Sequence, residues 1–186
     1  MRGAHRLRLT VASALAALAL ASAAASQPIA EPMVRAALLY NFAKFTTWPA
    51  DALRPGMPLT VCIVGDGAIA GTLSRIAAGR QIDGREVRVV TSGRDAGLRN
   101  CQIVYIAGND AQADAEVLEH LKYTPALTVV DGRNDDRTGA IARLFVEDGR
   151  IRFSVNVDAM QRARIRISSK VLALGLIAKD DGDVAR

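Results

Sequence analysis

The chain is poor in the residues that most enzyme chemistry draws on. Its 186 residues include two cysteines, two histidines, one tryptophan and eight aromatics in all. Cys62 and Cys101 do not form a C-x-x-C pair, so a thioredoxin-type oxidoreductase has no support. No serine sits in G-x-S-x-G, and His120 is the sole histidine beyond residue 25. An activated nucleophile needs a base and a group to orient that base. Nucleophilic hydrolysis is therefore set aside, and His120, beside Glu119, reads as a helix-surface residue. Asp131, Asp135 and Asp136 share a glycine-containing loop without EF-hand spacing, and read as solvated rather than as a calcium site. No metal and no cofactor is expected.

An apolar run long enough to span a bilayer is missing too. Val11 to Ala23 is about 13 residues, short of the roughly 20 that a transmembrane helix needs. Arg2, His5, Arg6 and Arg8 precede it, and Ala21-Ser22-Ala23 and Ala23-Ala24-Ala25 both suit an A-x-A cleavage site. Residues 1–25 are thus expected to be a secretory signal peptide, cleaved near Ala23 or Ala25, with the mature chain in the periplasm. No lipobox cysteine is present. Removing residues 1–25 takes away three Arg and no acids, leaving 21 basic and 19 acidic residues and lowering the formal charge from +5 to +2. A nucleic-acid binder shows a strong basic stripe; this chain has none, and nucleic acid is excluded as a partner. About 161 remaining residues can bury an ordinary core without staples.

What remains reads as one domain over 31–178, with a charged tail at 179–186 expected to fray. Glu31 to Thr47 predicts a helix, with Val34, Leu38, Phe42 and Phe45 on one apolar face and Trp48-Pro49 ending it. Leu59 to Val64 is a continuous apolar strand of the kind covered on both faces. A helix over Ala68–Ala78, strands at Glu86–Val90 and Cys101–Ala107, a helix over Asp110–Lys122 and a strand at Ala126–Val130 follow. Gly132 to Thr138 reads as a loop. Ile141–Val146 and Ile151–Val157 flank Glu147-Asp148-Gly149-Arg150, a hairpin signal. A last helix, capped by Ser168 or Ser169, would carry Val171, Leu172, Leu174 and Ile177. Alternating elements predict an α/β fold: a single three-layer domain with a mixed, mostly parallel sheet, a C-terminal antiparallel hairpin and flanking helices.

Gly65-Asp66-Gly67-Ala68-Ile69-Ala70 fits G-x-G-x-x-[GA] between a strand and a helix, the pattern of a pyrophosphate-binding turn. The acid that would hold a ribose after the next strand is absent, and Asp66 puts negative charge where phosphate would approach. A plain strand-to-helix turn is the better reading. In an oxidising compartment Cys62 and Cys101 can staple neighbouring strands; buried free thiols are the alternative. Two surfaces suit a partner. Tyr40, Phe42, Phe45 and Trp48 place four aromatics within nine residues; Phe42 and Phe45 belong to the core-facing stripe, Tyr40 points elsewhere, and Trp48 at the helix end reads either as an interface hot spot or as core packing. Arg162, Arg164 and Arg166 alternate with Ala163, Ile165 and Ile167, so an extended segment would share one arginine face for acidic groups.

Together these segments resemble the YfiR family of periplasmic proteins. The resemblance rests on Val34-Arg35-Ala36-Ala37-Leu38-Leu39-Tyr40-Asn41-Phe42-Ala43-Lys44-Phe45-Thr46-Thr47-Trp48-Pro49, on the strands around Cys62 and Cys101, and on Gly149 to Val157 with Ile165 to Leu172. It covers about residues 31 to 177. It implies a non-enzymatic regulator that binds and represses the periplasmic sensor region of an inner-membrane GGDEF diguanylate cyclase. It also implies a homodimer, an OmpA-like outer-membrane lipoprotein that sequesters the repressor, and a Cys62–Cys101 disulfide. The second cysteine pair of some members is absent, so redox sensing would rest on Cys62–Cys101 alone. The competing expectation is a periplasmic small-ligand-binding sensor that takes an anion through Arg162, Arg164 or Arg166.

Overall fold

The computed structural model describes residues 31–94, 97–132, 139–179 and 184–185; the expected signal peptide and residues 133–138 of the expected loop lie outside them. Helix α1 (Glu31–Phe45) opens with Pro32, whose missing N–H costs nothing in a first turn. Glu31 and Arg35 pair one turn apart at 2.6 Å. Its buried stripe is Ala36, Leu39, Phe42 and Ala43; Val34, Leu38 and Phe45 are only partly covered, so the expected face is rotated. Alanines at 36 and 43 carry a weak hydrophobic signal, yet they let α1 lie close against its neighbour.

The chain continues through β1 (Thr46–Thr47), β2 (Leu59–Val64), α2 (Gly67–Ala77), β3 (Gln81–Ile82), β4 (Arg85–Ser92), a 3-10 turn (Leu98–Asn100), β5 (Ile103–Ile106), α3 (Ala111–Leu121) and β6 (Leu127–Asp131). It closes with β7 (Ala142–Glu147), β8 (Arg150–Asn156), α4 (Val157–Arg162), β9 (Arg166–Ile167), α5 (Ser169–Leu172), β10 (Leu176–Ala178) and β11 (Val184–Ala185). The main sheet runs β11-β10-β8-β7-β6-β5-β2-β4-β3 among the described residues. β4, β2, β5, β6 and β7 are mutually parallel, and β7–β8 is the expected hairpin. Asp148 (φ 50°) and Gly149 (φ 70°) make its two-residue turn, with the paired positive φ that a tight hairpin demands.

Strand alternation divides the interior in two. Val61, Ile63, Ile103, Tyr105, Leu127 and Val129 face one core, under α1, α2, α4 and α5. Cys62, Val64, Val104, Ile106 and Val130 face the other, under α3. These are the three layers of a single α/β domain. Phe42 of α1 and Phe153 of β8 meet edge to face at 5.3 Å and fix α1 to the sheet.

The C-terminal end departs from expectation. The helix expected from Ser168 or Ser169 to Ile177 is one turn, capped by Ser168, and ends at Leu172. Leu176 to Ala178 is instead a strand parallel to β8. Gly175 makes this exit possible: a Cβ there would stand 2.3 Å from the Phe153 ring. Within 179–186, Val184–Ala185 pairs antiparallel with β10. The hairpin is therefore not the last piece of the sheet.

Candidate partner-binding surface and disulfide

β2 and β5 are neighbours, yet α2 covers one face after β2 and α3 the other after β5. A divergence of this kind opens a crevice at the carboxyl ends of the strands, where α/β proteins place ligands. Here the helices that border it are capped by the chain's own carboxylates. Asp66 caps α2 through Ile69 N at 3.0 Å, and Asp110 caps α3 through Ala113 N at 3.1 Å. Each uses the positive helix end that a phosphate would need. The Gly65-Asp66-Gly67 stretch is thus a capping turn, with Gly65 at φ 84°.

Asp131, at the end of β6, accepts from Arg35 Nε of α1 and from the Tyr105 hydroxyl at 2.7 Å. Burial works against the Arg35 charge, but hydrogen bonds to Glu31 and Asp131 outweigh it and hold the guanidinium above its ordinary pKa. Burial first, then the Asp131 bond, pushes the Tyr105 phenol far above its usual value, so it stays neutral. Gly108 (φ 69°) lets the β5–α3 loop lie against β6; a Cβ there would fall 1.6 Å from the Asp131 carbonyl oxygen. Nothing local in the sequence marks Arg35 and Asp131 as partners, 96 positions apart.

At the opposite end of the strands, Cys62 of β2 and Cys101, just before β5, form a disulfide with Cα atoms 5.9 Å apart. Closing a 39-residue separation stabilises by about 4 kcal/mol in the chain-entropy model. The adjacent Gln102, itself buried, ties this region together. Its backbone oxygen accepts from Trp48 Nε1 at 3.0 Å, its Oε1 accepts from Thr60 N, and its Nε2 donates to Ala52 O. Arg85 anchors the same 48–58 loop by donating to the carbonyls of Arg54 and Met57. Sequence reasoning missed Gln102; only its place beside a cysteine hinted at it.

The two surfaces expected to meet a partner converge here in part. β1 pairs antiparallel with β9, setting Thr46 opposite Ile167 and Thr47 opposite Arg166. That ribbon joins the end of the aromatic helix to the arginine segment. Trp48 is buried, with its indole N–H spent on Gln102. Tyr40 is half-buried on α1, under the guanidinium of Arg80 at 6.0 Å. The arginine segment is not extended. Arg162 ends α4, half-buried; Arg164 turns through φ 56°; only Arg166 lies on a strand. Ala163, Ile165 and Ile167 do point inward, leaving Arg164 and Arg166 exposed. Arg164 reaches Asp51 at 3.1 Å and holds that carboxyl below its ordinary pKa.

No helix of the described residues is long and apolar enough to cross a membrane. A solved structure from Vibrio cholerae O1 biovar eltor, described as a conserved domain protein, superposes with a TM-score of 0.52 at 15% identity. The match covers 79% of this chain and 60% of that one, and it shows a shared fold. The YfiR/HmsC-like family model matches residues 32–175, from the first turn of α1 to the glycine that admits β10. With the opening helix, both cysteine strands and the hairpin all inside that match, the chain belongs to the YfiR/HmsC-like family.

Proposed function

We propose that this protein is a non-enzymatic repressor that holds the periplasmic sensor region of an inner-membrane GGDEF diguanylate cyclase in its inactive conformation. The observation that carries this reading is the family match across residues 32–175, the body of the domain. The strand ends between β2 and β5 add support, because Asp66 and Asp110 already cap the two helix N-termini that a phosphate ligand would need. The docking surface is the β1–β9 ribbon, where Arg164 and Arg166 project and Trp48 sets the shape from beneath. Tyr40 with Arg80 extends it along α1. An OmpA-like outer-membrane lipoprotein relieves repression by sequestering the protein.

Repression of this kind is a population shift. To lower cyclase activity roughly a thousandfold, the repressor must favour the inactive conformation by about 4 kcal/mol. A standard-size interface supplies that. Deleting the gene and measuring intracellular cyclic di-GMP tests the proposal: a rise, reversed by restoring the exported protein, supports it. An unchanged level in a strain that makes the protein would sink it.

A further inference from the structure

Arg164 stands where a helix end asks for glycine. α4 closes with the Ile165 N–H donating to the Met160 carbonyl at 3.4 Å and the Arg164 N–H donating to the Gln161 carbonyl at 2.9 Å. This pair of bonds is the Schellman closure, which puts the residue just past the helix in the left-handed region. Glycine suits that position because a Cβ is strained there. Here it is an arginine at φ 56°. Ala163 and Ile165 are both buried, so the core holds the backbone on either side of it. Its side chain is 59% exposed.

What that side chain does inside the molecule does not repay the strain. It pairs with Asp51 at 3.1 Å, and the Asp51 side chain is 64% exposed. An ion pair so open to water stabilises little. Strain held at a surface residue without a return in stability points to a role outside the fold. The pair does show which chemistry the position accepts, namely a carboxylate against a guanidinium. The surroundings share that preference. Residues 46–58 and 163–170 carry Arg54, Arg164, Arg166 and Lys170, all exposed, against Asp51 as their one acid. Arg166 has no ion pair among the described residues.

We propose that Arg164, with Arg166 beside it, receives the carboxylates of an acidic segment on a protein partner, and that Asp51 occupies Arg164 until the partner displaces it. This deepens the repressor reading, on which it rests for the use of the ribbon, by naming what the docking segment carries. Exchanging one carboxylate for another keeps the guanidinium paired, so neither state strands a charge. A single acid would only match Asp51. A segment with two or more also engages Arg166, and that second pair favours the exchange. Two substitutions then act in opposite directions. Arg164→Gly removes the anchor while relieving the left-handed strain, and Asp51→Asn frees the anchor.

Fluorescence anisotropy of a labelled hexaglutamate peptide, titrated with the exported protein at low ionic strength, tests this. Arg164→Gly should bind about tenfold more weakly or worse, with a melting temperature equal to or above that of the wild type. Asp51→Asn should bind about threefold more tightly. Arg150→Gln, at the exposed β7–β8 turn, should match the wild type. Equal binding by Arg164→Gly, or weaker binding by Asp51→Asn, overturns the assignment. So does an Arg164→Gly protein that melts several degrees lower, since the arginine would then be a structural clamp. Binding to phosphatidylglycerol vesicles through Arg164, without binding to hexaglutamate, would give the ribbon to a lipid surface and overturn it too. The cyclase takes no part in this assay. An unchanged cyclic di-GMP level on gene deletion would therefore remove the repressor reading and leave the peptide result standing.

Discussion

Asp131 carries more than its position at a strand end suggests. It holds Arg35 of α1 and the buried Tyr105 hydroxyl on one carboxylate oxygen, locking the first helix to the middle of the sheet. Breaking a largely buried ion pair strands the remaining charge, so Asp131→Asn should cost about 3 kcal/mol in urea unfolding. Tyr105 gives a pH signature. Its folded pKa lies above the ordinary value of 10.0. Its stabilising effect is therefore complete below pH 10 and declines as pH rises, because the unfolded chain loses a proton that the native state keeps. The decline should be about 1.4 kcal/mol per pH unit from this group. Tyr105→Phe should remove that share of the alkaline slope; an unaltered slope would show that another group sets it. Asp51 shows the opposite sign at the surface. Arg164 depresses its pKa, so Arg164→Gln should return the carboxyl toward 3.8, as carbon-detected NMR titration would show.

Among the elements, the turns hold the sharpest constraints. Gly149 and Gly108 both have positive φ, at 70° and 69°, but their surroundings differ. A Cβ on Gly149 meets open space, whereas one on Gly108 runs into the Asp131 backbone. Gly149→Ala should thus cost only the left-handed strain, about 1 kcal/mol. Gly108→Ala must also separate the β5–α3 loop from β6, and should melt far lower or fail to accumulate as folded protein. Comparable melting temperatures would refute that ranking. The contrast also shows what a sequence conveys. The Asp148-Gly149 hairpin was legible because turn chemistry is local, and so was the Gly65-Asp66-Gly67 strand-to-helix turn. The stripe of α1 lies off the predicted face because Ala36 and Ala43 are buried there with only a weak hydrophobic signal. The sequence predicts helix through β10 because the cause of the break, Gly175 against Phe153, is a contact across the fold. The Arg35–Asp131–Tyr105 cluster is invisible for the same reason.

For the whole molecule, a run of contacts joins the disulfide to the β1–β9 ribbon proposed as the docking surface. Cys101 is followed by Gln102, whose backbone oxygen receives the only tryptophan's N–H and whose amide holds the loop at Ala52. Trp48 in turn precedes the loop that Arg85 pins and follows the β1 strand that pairs with Arg166 and Ile167. Reduction would therefore loosen more than the closed loop: it would free the start of β5, then Gln102, then the ribbon that carries the arginines. The reduced protein, or Cys62→Ser with Cys101→Ser, should lose about 4 kcal/mol of stability, which for a domain of this size lowers the melting temperature by roughly 10 °C. Trp48 reports the path directly. Its emission should shift to the red on reduction, at temperatures well below global melting, as the indole leaves Gln102 and meets water. In cells, the double serine variant should raise cyclic di-GMP even where its periplasmic level equals that of the wild type. A lower melting temperature with unshifted Trp48 emission and unchanged cyclic di-GMP would make the disulfide a plain staple, with no line from Cys101 to the docking surface.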